Sequence, residues 1–300
     1  MTDLIVLVVV TIAGGYGLRK LGLLPEDAAK HLNTIVFYLT LPALIFNALH
    51  RAELHWSLLW MPLIAWGTSL LGLGLGWASG KLLKLPDRTL GSWMLAIAFA
   101  NTTFFGYPII EGFFGTKHLT LAIFYDLLGA TLAVNTVGTL VASGTGGSKL
   151  KLGAQVQHLL RFPPLWGLAL GLALHGLALP GTVEHVLDRL GSLTTPLIML
   201  SIGLSLQFRH ASRGWPLTLA ATGMRLILIP ALAWGILALL GLPIAYQQAA
   251  VMQAAMPTML FAFSLALLFG LEIPLLINTI VASILLSFVT LPLWHWLLVR

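Results

Sequence analysis

Apolar runs of about twenty residues, each closed by a short basic, Pro or Gly punctuation, follow one another along the whole of this chain. That is the length an α-helix needs to cross the hydrocarbon of a bilayer, where every backbone polar group must be satisfied within the segment. Cutting at the punctuation gives ten segments, near 4–21, 31–49, 57–83, 89–113, 119–142, 163–179, 187–208, 214–241, 246–269 and 273–297. Hydrophobic residues make up 58% of the chain and charged residues only 9%. Soluble domains carry roughly a quarter charged residues. The expected fold class is therefore an all-α membrane protein of about ten transmembrane helices.

The absence of cysteine excludes disulfides and thiolate metal sites. The nine histidines have no ligand spacing within any span, so neither a metal nor another cofactor is expected. The net charge of +6 lies in the short connections, the pattern of loops at a membrane surface and not of a nucleic-acid binder. The opening stretch MTDLIVLVVVTIAGGYG has no basic leader region and no clear cleavage site, and reads as the first spanning helix.

The clearly polar connection SGTGGSKLKLGAQVQ, 143–157, divides the chain into halves that resemble each other. GLLP at 22–25 answers LALP at 177–180, and LTLPALIFNAL (39–49) answers LTTPLIMLSIG (193–203) with Pro42 against Pro196. KLPDRT answers GLPIAY, and GFFG at 112–115 answers LLFG at 267–270. The matches keep their order and a near-constant offset. We read a first five-helix repeat over 1–145, a cytoplasmic linker over 146–162, and a second repeat over 163–300. An odd number of helices per repeat makes the second copy insert upside down.

Lys and Arg set the orientation. One side receives Arg19, Lys20, Lys30, Lys81, Lys84, Arg88, Lys149, Lys151, Arg161, Arg209 and Arg213; the other receives Arg51, Lys117 and Arg300. The first side is expected to be cytoplasmic, with both termini extracellular or periplasmic and the chain in the inner (plasma) membrane.

Two segments are weak where a spanning helix should be strong. FANTTFFGYPII, 99–110, puts Asn101, Thr102, Thr103 and Pro108 inside the fourth; VMQAAMPTMLFAFS puts Gln253, Pro257 and Thr258 inside the ninth. The repeat aligns these two stretches. Interrupted helices at matching positions point to a transporter's binding site, and half-helix N-termini suit an anion such as a carboxylate. These seven residues are the candidate substrate-binding set.

With NTIVFYLTLPALIFNAL (33–49), FANTTFFGYPIIEGFFG (99–115) and PTMLFAFSLALLFG (257–270) followed by ASILLSFVTLPLW, the chain resembles the auxin efflux carrier, or PIN-like, family across nearly its whole length. The resemblance implies two inverted five-helix repeats with crossing broken helices 4 and 9. It implies a scaffold of helices 1, 2, 6 and 7, and a transport domain of helices 3–5 and 8–10 that moves as an elevator. The implied substrates are small organic anions, auxin-like or dicarboxylates such as malonate or malate. Asn101 and Pro108 match the helix 4 crossover and Pro257 that of helix 9. The chain departs from the plant pattern at Met256, where a second asparagine-like partner is wanted. It also lacks the long cytoplasmic loop between the halves, as a small bacterial-type member would.

Few ionisable residues fall within spans. Asp126 in the fifth segment and Arg225 in the eighth are placed to neutralise each other, or to act as coupling group and counter-charge, with a proton favoured over sodium. Glu111 and His118 read as interfacial, and His175 as a satisfied core histidine. Gly72, Gly76 and Gly80, and Gly167 with Gly171, form small-residue ridges that permit close helix packing and are compatible with a homodimer. Trp56, Trp60, Trp294 and Trp296 read as an interfacial belt. An anion channel is the alternative function. An intramembrane aspartyl protease would need a second facing aspartate that the sequence lacks.

Overall fold

Where Leu, Val, Ile and Ala run without Pro, Gly or charge, helix is the only state that satisfies a backbone in oil, and the computed structural model is helical throughout such runs. It describes residues 2–25, 27–147, 153, 157, 160–205 and 214–300; Lys149, Lys151, Arg209 and Arg213 lie outside the described residues. The helices are α1 (Thr2–Lys20), α2 (Ala28–His50), α3 (Trp56–Leu82), α4 (Asp87–Ala98), α5 (Gly106–Phe114) and α6 (Thr116–Thr145). They continue as α7 (Pro163–Ala173), α8 (Gly181–Ser192), α9 (Thr194–Ser205), α10 (Trp215–Leu239), α11 (Ile244–Ala254), α12 (Phe261–Phe269) and α13 (Ile273–Val299). No regular strand occurs among the described residues. α2, α3, α6, α10 and α13 are each long and apolar enough to cross a membrane.

The fourth expected segment is split into α4 and α5, and the ninth into α11 and α12. Prolines at both approaches set where these helices begin: Pro86 precedes α4 and Pro243 precedes α11. α12 stops at Gly270, whose φ of 70° is the left-handed cap that glycine adopts without strain. The seventh segment differs from expectation. Its first residues belong to the separate amphipathic helix α8, and the apolar helix α9 starts only at Thr194.

By contacts the chain forms two compact units. One comprises Met1–His55, Tyr107–Thr120 and Val156–Gln207; the other Trp56–Gly106, Leu121–Gln155 and Phe208–Arg300. In the first unit α7 lies directly on α2, and a Cβ at Gly167 would stand 2.7 Å from the Pro42 carbonyl oxygen. α8 is tied to the end of α2 by a bidentate Arg51–Asp188 pair at 3.0 Å, with Asn47 Nδ2 donating to the same carboxylate at 3.1 Å. The pair is half exposed, so its worth is on the order of 1 kcal/mol or less. His175 also falls here, past the end of α7; it is exposed and bonds the Leu49 carbonyl at 3.1 Å, so it is not the core histidine expected.

In the second unit the glycine ridge of α3 is used within the chain. A Cβ at Gly72 would stand 2.6 Å from the Ala98 Cα, and one at Gly76 3.0 Å from the Met94 Cα. α3 and α4 therefore touch backbone to backbone, as small residues allow in lipid. That ridge is covered by α4 within the chain. Trp93 and Ile97 of α4 pack with Ala221, Ile229 and Leu275, and Leu71 and Leu75 of α3 join the same cluster.

The long helices are not uniform. Five-residue π-helical turns occupy Val36–Thr40, Asp126–Ala130, Val134–Gly138 and Met224–Leu228. Two of them lie just before a proline, Pro42 or Pro230, which cannot supply the N–H that closes an ordinary turn. The carbonyl of Leu226, four residues before Pro230, instead accepts from Trp294 Nε1 at 2.8 Å. Trp294 is thus buried and structural, whereas Trp56, Trp60 and Trp296 are exposed as a membrane-interface belt requires.

Candidate functional site

α4 ends at Ala98 and α5 begins at Gly106; α11 ends at Ala254 and α12 begins at Phe261. The two gaps lie against each other. The N–H of Asn101 donates to the Pro257 carbonyl at 2.7 Å, and the N–H of Met259 donates to the Phe99 carbonyl at 2.9 Å. These two bonds frame an isolated antiparallel bridge between Ala100 and Thr258. Each interruption thereby supplies part of the backbone satisfaction that the other has lost, which allows unwound chain to be buried.

Of the seven residues proposed for substrate, six lie in this one unit and gather at the paired breaks. Pro108 is the exception. It belongs to the other unit, in the first turn of α5, where a missing N–H removes no helical bond.

The side chains divide into engaged and unengaged. Thr102 and Thr103 are buried, and their hydroxyls donate to Asp126 Oδ1 at 2.7 Å and Oδ2 at 2.6 Å. Thr258 Oγ1 donates to the Ala96 carbonyl at 2.9 Å, while its N–H reaches Ser283 Oγ at 3.0 Å. These three threonines hold the breaks in shape. Asn101 is different. Its Oδ1 accepts from the Phe104 N–H at 3.1 Å, which fixes the orientation of the amide. Its Nδ2 is left buried with no partner. Gln253 is the complement: Nε2 donates to the Ala122 carbonyl at 3.3 Å, and Oε1 is left without a donor. Orphaned buried amide atoms cost on the order of 1–3 kcal/mol each, so a native pair of them calls for a ligand or water.

Asp126 and Arg225, expected to face each other, each hold other groups. Asp126 is fully buried and accepts a third hydroxyl, from Thr131, at 3.1 Å. In a straight α-helix positions five apart lie on different faces. The π-turn that starts at Asp126 closes i to i+5 and turns Thr131 back onto the carboxylate. Arg225, 1% exposed, donates from Nη1 to the carbonyls of Ile97 at 2.8 Å and Ala98 at 2.9 Å, and from Nη2 to the carbonyl of Ala254. None of these bonds joins Asp126 to Arg225. A buried charge in a membrane costs roughly 2.5–3.5 kcal/mol on insertion scales, and bonds to charged groups return about 1.5–3 kcal/mol each.

Sequence reasoning missed Thr131, Ser283 and the three carbonyls at Arg225. Gly106, two residues before Pro108, is legible as part of the weak point in the fourth segment, but sequence reasoning gives it no role in the site. A Cβ there would stand 2.1 Å from Gln253 Oε1, so the site has no room for a side chain at that position. No cluster of metal-ligating side chains occurs among the described residues.

The family described as membrane transport protein has a model that matches residues 1–295. Two archaeal proteins are similar over nearly the full length of both chains. An uncharacterized transporter of Methanothermobacter thermautotrophicus is 35% identical over 303 residues, 98% of this chain and 97% of its own. An uncharacterized transporter of Methanocaldococcus jannaschii is 31% identical over 307 residues, 99% of each.

Proposed function

Because the chain belongs to the membrane transport protein family, the auxin efflux carrier or PIN-like family, we propose that it is a secondary active transporter that carries a small organic anion across the membrane by elevator-type alternating access. The single observation that carries this reading is the pairing of the two helix breaks, with the buried, unpartnered Asn101 Nδ2 in the first of them. An N–H donor aimed from unwound backbone, beside the N-terminal end of a half-helix, is suited to a carboxylate. Gln253 Oε1 supplies an acceptor for a hydroxyl or a protonated carboxyl on the same molecule, which favours a dicarboxylate or hydroxy acid.

The ten segments are then two inverted five-helix repeats, with helices 4 and 9 crossing where they break. The grouping of helices supports a division of labour. One compact unit gathers α1, α2, α7–α9 and, unlike the expected division, all of α5 but Gly106; apart from α5 it corresponds to the scaffold. The other gathers α3, α4, most of α6, and α10–α13, and corresponds to the transport domain. Asp126, gripped by hydroxyls of the first break, is the coupling group, and a proton is the coupling ion. The membrane is the plasma or inner membrane, with both termini outside.

Counterflow in proteoliposomes tests the reading. Vesicles loaded with unlabelled dicarboxylate should transiently accumulate the labelled compound above its equilibrium level, as a carrier does and an open pore does not. A thermal-shift screen of mono- and dicarboxylates on the purified protein selects the compound first, since a ligand stabilises by mass action. Protein stabilised by no carboxylate, or vesicles showing only equilibration, would sink it.

A further inference from the structure

The interruption of two helices leaves two sets of carbonyls facing the same side chain. α4 stops at Ala98 and α11 stops at Ala254, and the last carbonyls of a helix have no partner within it. Each helix end carries roughly half an elementary negative charge, so two ends brought together amount to about one. Such ends, in interrupted membrane helices, are places where a sodium ion can be coordinated by main-chain oxygen.

Here the place is taken. Arg225 is buried in α10, and its two terminal nitrogens meet Ile97 and Ala98 at the end of α4 and Ala254 at the end of α11. A π-turn, Met224–Leu228, carries Arg225 at this point in the helix, and Pro230 follows it. One fixed positive charge thus meets about one unit of helix-end charge on three oxygens.

We infer that Arg225 is a tethered cation occupying the carbonyl seat where the two interrupted helices end, so that this seat takes no metal ion unless the guanidinium is removed. It joins the ends of α4 and α11 into one charged-compensated block and travels with them. Under the transport reading, sodium coupling through these three oxygens is closed, and a proton on Asp126 is the coupling route left. The inference itself does not depend on that reading, and its test reads stability and ion binding, not transport.

The test compares Arg225→Lys, which keeps a charge, with Arg225→Gln, which keeps a donor and loses the charge. The full chain is purified in detergent and its thermal midpoint measured in NaCl and in choline chloride at equal ionic strength. Wild-type protein and Arg225→Lys should show no difference between the two salts. Arg225→Gln should melt lower than Arg225→Lys by on the order of 5 °C, and sodium should raise its midpoint by roughly 2–4 °C over choline. It should also bind radioactive sodium saturably where wild type does not. Recovery of Arg225→Lys under conditions that yield no folded Arg225→Gln counts equally for the charge. The inference is overturned if the Gln variant equals or exceeds the Lys variant in stability, or if sodium acts on wild type and Gln variant alike.

Discussion

The amide N–H of Asn101 donates to the carbonyl of Pro257 at 2.7 Å, across 156 positions of sequence that separate two interrupted helices. Pro257 lies in the interruption that follows α11, and its carbonyl is thereby satisfied by a residue of the interruption that follows α4. The backbone of Asn101 is fully committed, its carbonyl accepting from Gly106 N–H at 3.1 Å, while its side-chain Nδ2 is left over.

Asn101→Ala should therefore weaken substrate binding more than it weakens the fold. A hydrogen bond to a charged group is worth about 1.5–3 kcal/mol, which corresponds to roughly a ten- to hundredfold loss of affinity. The lost bond to Phe104 N–H costs the fold only about 1 kcal/mol. Isothermal titration of the stabilising carboxylate into both proteins checks this, with Asn47→Ala as the control. Asn47 sits in the other unit and shares Asp188 with Arg51, which keeps its own bidentate hold. Equal affinity in Asn101→Ala and wild type would remove Asn101 from the site.

Asp126→Asn should separate coupling from binding. Asn has nearly the shape of Asp, its remaining oxygen can accept from Thr102 and Thr131, and its NH₂ can donate to the Thr103 hydroxyl, which accepts as well as donates. The protein should fold, and substrate exchange between equal pools should persist within a few-fold. Uptake driven by a pH gradient should fall by ten-fold or more. Gradient-driven uptake equal to wild type would make the carboxylate a structural clasp. Asp126→Ala, which leaves three buried hydroxyls without an acceptor, should instead be recovered poorly.

What could be read in the sequence was whatever a side chain announces. Asn, Thr, Gly and Pro inside a twenty-residue apolar run announce that a helix cannot pass, and the breaks fall where FANTTFFGYP and AAMPTM place them. The partner of Arg225 could not be read, because main-chain carbonyls have no residue type; its charge suggested Asp126 and the oxygens of Ile97, Ala98 and Ala254 took it. Thr131 was hidden for a different reason. Helical spacing of three and four misses a contact at five, and only the π-turn makes that contact. Trp294 looked interfacial because it is near a segment end, yet a proline on another helix had left a carbonyl for it.

The orientation is open to chemical labelling because the chain contains no cysteine. Lys84, in the connection after α3, and Arg300 are both exposed and fall on opposite sides by the distribution of basic residues. In intact cells a single cysteine at 300 should react with a membrane-impermeant maleimide, and one at 84 should react only after lysis. The reverse pattern would invert the whole topology.

Gly106 and Gln253 should behave as one site. Gly106 opens α5, and alanine there would favour the helix by up to about 1 kcal/mol if nothing else stood near. Its Cβ, however, would lie 2.1 Å from Gln253 Oε1 and 3.0 Å from Nε2. Gln253 is fully buried, and moving aside breaks its bond to the Ala122 carbonyl. Gly106→Ala should thus destabilise by roughly 1–3 kcal/mol, as overpacking does. Gln253→Ala should also destabilise, by leaving a cavity and an unpaired carbonyl. In the double variant the new methyl enters the space that Gln253 vacates, so the two losses should not add. A double-mutant cycle on thermal or denaturant midpoints should give a coupling between about 0.5 and 3 kcal/mol, in the sense that the double variant is more stable than the sum predicts. Additivity to within about 0.5 kcal/mol would mean that Gln253 does not lie over Gly106 in the working protein, and the acceptor assigned to the site would go with it.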